Sequence, residues 1–148
     1  MNKIATLRNS RGQNTPNLLK VVEDIEGFGS DGITIHPRPD ERHIRYSDAL
    51  ELSKIIKSEL NIEGNPIDNF MQLVLKIKPT QVTLVPDGIN NITSNSGWDT
   101  IKHSDFLGKK IEELKSCGIR TSIFVNPDPK MIRGAFEIGA DRIELYTY

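Results

Sequence analysis

Cysteine is almost absent: Cys117 stands alone in 148 residues, which excludes an internal disulfide and a cysteine-based zinc site and fits a reducing compartment. Charge of one sign is not in excess either. Nineteen Lys and Arg face twenty Asp and Glu, so no global basic field draws nucleic acid or anionic lipid, and only a local anion site is left open. No apolar run approaches the ~20 residues of a membrane-spanning helix. The opening MNKIATLRNSRG also lacks the apolar core of a secretion signal. These absences predict a cytoplasmic protein with small-molecule or protein partners, no nucleic acid and no membrane. What is there, 36% hydrophobic and 26% charged residues, is the composition of a folded globular chain. Its length suits a single domain over 1–148.

Five β-branched, apolar-rich segments recur at 31–36, 60–63, 81–86, 120–126 and 142–147, and each predicts a strand. Between them, helical spacing relates Leu18, Leu19, Val22 and Ile25, then Leu50, Leu52, Ile55 and Ile56, then Phe70, Leu73, Val74 and Ile77. Thr15-Pro16, Asn65-Pro66 and Asp128-Pro129 each set a capping oxygen before a proline, as a first helical turn prefers. Gly118 and Gly139 stand where a left-handed C-terminal residue is wanted.

Strands that alternate with helices require crossovers and a parallel sheet, so the fold class is α/β. A doubly wound sheet and a (β/α)8 TIM barrel both fit. Polar Thr34, His36, Asn61 and Glu63 sharing one strand face favour a barrel whose interior turns polar near the carboxyl ends of its strands. A truncated first strand over 2–7 brings the predicted count to six. The expectation is therefore an incomplete barrel of about six βα units, lacking the start of its first strand and its last two strands.

The densest polar cluster, 36–45, follows the second predicted strand, and Pro37 and Pro39 stiffen it so that His36, Arg38 and His43 are held at the barrel mouth. A solvated loop of mutual ion pairs is an equal reading. A zinc site on His36 and His43 is weaker, because no third ligand is in evidence. Glu63 and Glu144 end strands on the polar face, where desolvation raises a carboxyl into the range of a general acid or base. Glu144 reads equally well as an ion-pair partner of Arg142. Arg8 and Arg11 flank a loop that could clasp an anion, against the commoner reading as solvated arginines. The long polar connection 87–103 offers hydroxyl and amide groups for a phosphate or sugar, or simply turn formers. A barrel aldolase with a Schiff-base lysine is disfavoured, because no predicted strand ends in lysine.

Four runs together, IATLRNSRG at 4–12, DGITIHPRPDERHI at 31–44, LVP at 84–86 with ITSNSGWD at 92–99, and GADRIELYT at 139–147, resemble the pyridoxine 5'-phosphate synthase family in its Bacteroidetes-type form. The resemblance implies a (β/α)8 barrel that condenses 1-deoxy-D-xylulose 5-phosphate with 3-amino-2-oxopropyl phosphate, giving pyridoxine 5'-phosphate, phosphate and water. It implies no cofactor and no metal, and a homo-oligomer, an octamer in the intact family. By motif position, His36 is implied as proton acceptor, Glu63 as a second acid/base and Glu144 as a stabiliser of transition-state charge. Arg38, His43 and Thr93 are implied to hold deoxyxylulose phosphate, and Arg11 to contact the amino ketone phosphate. Two departures stand out. Asn2-Lys3 occupies the place of the family's acidic-histidine pair, and the family's proton-donating histidine and glycine-rich phosphate loops would lie beyond Tyr148. The polypeptide alone is therefore expected to be inactive or nearly so, and a partner-dependent half-barrel is the alternative.

Overall fold

Parallel pairing organises the chain, as the strand–helix alternation requires. The computed structural model describes residues 1–88 and 95–147. Among them, β1 (Gly32–Ile35), β2 (Glu59–Gly64), β3 (Gln81–Leu84), β4 (Arg120–Val125) and β5 (Arg142–Leu145) form one five-stranded parallel sheet in the order β1-β2-β3-β4-β5. The order never reverses, which removes the doubly wound alternative, whose strands grow outward in two directions from a switch point. The sheet is that of a partial barrel.

Helices α2 (Leu18–Gly27), α3 (Tyr46–Leu52), α4 (Asp68–Ile77), α5 (Ser104–Ser116) and α6 (Pro129–Glu137) alternate with these strands. The pleat sends Ile33, Ile35, Leu60, Ile62, Val82, Leu84, Ile123 and Val125 into the core, where Phe70, Val74, Leu107, Ile111 and Leu114 are buried with them. Thr34, Asn61, Gln81 and Thr83 take the opposite face and bind one another: Thr83 Oγ1 donates to Asn61 Oδ1 at 3.1 Å, and Gln81 Nε2 to the same oxygen at 3.3 Å. On β5 the core-facing positions Ile143 and Leu145 stay 37% and 44% exposed.

The segment 2–7 is a helix and not a truncated first strand: α1 runs Asn2–Arg11 and ends at Gly12, whose φ of 66° lets its amide reach Asn9 O. Ala5 and Arg8, three apart, form its buried face, and Arg8 binds Asp48 on α3 through both carboxylate oxygens, at 2.6 and 2.7 Å. That buried pair also overturns the reading of Arg8 as half of an anion clasp. Helix α3 stops at Leu52, short of Ile55 and Ile56, after starting on a cap in which the Arg45 amide donates to Asp48 Oδ2 at 2.8 Å. Two of the three proline-linked caps shift. Asn17, not Thr15, caps α2, accepting from the Leu19 and Lys20 amides, and Ile67, not Asn65, precedes α4. Asp128 caps α6 as its sequence suggests, accepting from the Lys130 amide, and Gly118 and Gly139 adopt φ of 77° and 85°. No helix among the described residues is long and apolar enough to cross a membrane.

Candidate active site

The carboxyl ends of β1, β2 and β3 bring three ionisable side chains together. His36 follows β1 and is 8% exposed, with its amide donating to Asn2 Oδ1 at 2.9 Å, so the start of α1 fixes the end of this strand. Its Nδ1 lies 3.8 Å from Glu63 Oε2, one residue before the end of β2, and its Nε2 lies 4.0 Å from Asp87 Oδ2, just past β3. Burial, backed by the positive charges of His43, Arg38 and Arg42 and opposed by Asp87, pushes His36 down to about 4. Burial also pushes Glu63 up to about 8, helped by the charge of Glu144 and a hydrogen bond between the two carboxyl groups. Glu144, on β5, is raised by burial as well. Near neutrality the site therefore holds an unprotonated imidazole beside a protonated carboxyl, a base and an acid within one contact. Perturbations of this kind cluster where acid–base work is done.

The Glu63–Glu144 hydrogen bond takes the place of an ion pair with Arg142, whose Nη1 donates instead to Gln81 Oε1 at 3.4 Å. Arg38, 5% exposed, meets Asp87 at 3.1 Å and Gly88 O at 3.4 Å. His43 stacks at an angle against His36, 5.8 Å between ring centres, and its Nδ1 accepts from the Ile44 amide at 2.9 Å. Asn9 of α1 steadies this loop by donating to the carbonyls of Arg42 and His43, at 3.2 and 2.9 Å. Arg11 lies exposed in the last turn of α1, and no contact among the described residues joins it to the His36 group. Thr93 lies outside the described residues.

Asp87, Asn65 and Tyr46 are site features that sequence reasoning missed. Asn65 Nδ2 donates to Asp87 O at 3.0 Å, tying the end of β2 to the end of β3. Tyr46 turns its hydroxyl inward without a partner among the described residues, on a cavity of about 10 Å³ that His36, Arg38, Asn65 and Asp87 also line. For Asp87 a signal existed: it follows a strand at the same barrel end as His36 and Glu63. Among the described residues no group of His, Cys, Asp and Glu has the arrangement of a metal site.

Comparison with solved structures bears on the fold alone. A mandelate oxidase mutant matches with a TM-score of 0.59 at 11% identity, over 86% of this chain and 45% of its own. A flavocytochrome b2 variant matches with a TM-score of 0.60 at 15% identity, over 96% and 40%. Both are TIM-barrel neighbours, and at such identities they place the chain in that architecture as a partial barrel. Sequence comparison reaches further. Pyridoxine 5'-phosphate synthase of Christiangramia forsetii is 64% identical over 147 residues, 99% of this chain and 62% of that protein. The synthase of Bacteroides fragilis is 60% identical over the same shares. The chain thus spans about 62% of the length of these curated relatives. Residues 1–148 match throughout the family described as pyridoxal phosphate biosynthesis protein PdxJ, and it is to this family that the chain belongs.

Proposed function

We propose that the chain carries the acid–base centre of a pyridoxine 5'-phosphate synthase, which joins 1-deoxy-D-xylulose 5-phosphate to 3-amino-2-oxopropyl phosphate and releases phosphate and water. The observation that carries this is the His36–Glu63 pair, 3.8 Å apart, with the imidazole driven down and the carboxyl driven up. Condensing an amine with a ketone, dehydrating the adduct and closing an aromatic ring is a series of proton transfers, and a neutral base beside a neutral acid suits each of them. His36 takes protons, Glu63 returns them, and Glu144 steadies the charge that develops. Arg38 and His43 hold deoxyxylulose phosphate together with Thr93, and Arg11 contacts the amino ketone phosphate. The reaction needs no redox cofactor, and the protein works as a cytoplasmic homo-oligomer.

A second reading, a partner-dependent half-barrel, draws on the free edge of β5 and the exposed Ile143 and Leu145 beside it. One experiment separates the two. The purified chain is incubated with both substrates, alone and after co-expression with the part of the Christiangramia forsetii relative that it does not span, and pyridoxine 5'-phosphate is measured. Alone, the chain is expected to give none or a trace, because the site lies open where a sheet of five strands does not close. Turnover restored by the complement and abolished by His36→Asn supports the synthase reading. A complex that forms but stays inactive rejects it.

A further inference from the structure

His36 lies between two carboxyl groups on different strands, and the two have different company. Glu63, on the Nδ1 side, is favoured in its protonated form by burial and by its hydrogen bond with Glu144, so it draws a ring N–H less strongly than a charged carboxylate does. Asp87, on the Nε2 side, is paired with Arg38 through Oδ2, and this same oxygen faces the imidazole. An ionised carboxylate held by a guanidinium only accepts. The Asn65–Asp87 hydrogen bond at 3.0 Å fixes the backbone that carries it. A neutral imidazole has one donor and one acceptor nitrogen, and its neighbours select which is which.

We propose that Asp87 is a positioning residue that holds His36 as its Nε2–H tautomer, leaving Nδ1 as the lone pair turned toward Glu63. The ring then turns its N–H to the charged carboxylate and its lone pair to the carboxyl whose charge burial suppresses. Separations of 3.8 and 4.0 Å are longer than hydrogen bonds, and such contacts tighten when a substrate fills the site. The remaining charged or titratable neighbours of the ring, His43, Arg38 and Arg42, all oppose a second proton on it, which leaves the tautomer as the variable.

This inference rests on the reading of His36 as the acid–base group, but its test needs no turnover. Two-bond proton–nitrogen correlation spectra of the ¹⁵N-labelled chain near neutral pH report directly which ring nitrogen carries the proton. The wild-type chain is expected to show His36 protonated at Nε2. Asp87→Ala is expected to lose that preference, and Asp87→Glu to regain it. Protonation at Nδ1 in the wild type overturns the proposal, and so does an Nε2–H tautomer that survives Asp87→Ala unchanged. Should Asp87→Ala lose the dispersed amide spectrum of a folded chain, the wild-type tautomer decides alone. A failed complementation assay would remove the synthase reading and leave this measurement standing.

Discussion

Two buried groups 3.8 Å apart are displaced in opposite directions, and this couples the protein's stability to pH in two opposing ways. Glu63, raised to about 8, favours the folded state fully below the ordinary glutamate value of 4.5, and that contribution is lost as pH climbs to about 8. His36, lowered to about 4, contributes fully above the ordinary histidine value of 6.5 and loses its contribution as pH falls toward 4. Between 4.5 and 6.5 the slopes oppose each other, and above 6.5 only the glutamate slope is left. Thermal melts across pH 4–9 are therefore expected to show Glu63→Gln flattened on the alkaline side and His36→Asn falling more steeply from pH 4.5 upward. In the complemented enzyme each substitution is expected to cost ~10²-fold or more in kcat with KM little changed, and near-normal turnover removes the assignment. His36 and Glu63 were legible because strand alternation puts both on the polar face at a barrel mouth. Asp87 carried the same positional signal, but its pairing with Arg38, His36 and Asn65, 22 to 51 residues away in sequence, forms only in the fold.

Elements were read well where the signal is local and poorly where a distant partner decides. The five strands follow from β-branched runs with alternating faces. The helix at Asn2–Arg11 does not, because its buried face rests on an arginine whose partner, Asp48, is 40 residues on. Removing either member strands a buried charge, so Arg8→Ala or Asp48→Ala is expected to cost about 3–5 kcal/mol in urea unfolding. The loss should also loosen His43, since Arg8 and Asn9 both donate to its carbonyl. Gly64 sets a second close fit, where β2 passes the ring of Phe70 on α4 and a Cβ would run into that ring. Gly64→Ala is expected to cost about 1–3 kcal/mol, and Phe70→Leu to recover part of it, a coupling that a double-mutant cycle measures.

At the scale of the whole molecule the barrel architecture was legible in the strand–helix rhythm, while the predicted truncated first strand over 2–7 proved to be a helix. Among the described residues no strand pairs with the outer edge of β5, beside which lie Ile143 and Leu145. Concentration-dependent association is expected in light scattering, and Ile143→Lys with Leu145→Lys should reduce it at a modest cost in melting temperature, since both side chains are partly buried. Spatial order follows chain order across the sheet, β1 through β5 without a reversal. On the ribosome, each emerging strand would meet its docking edge already laid down by the strand before it. The nascent polypeptide can grow by addition at one moving front, each strand after β1 pairing with the one made just before it.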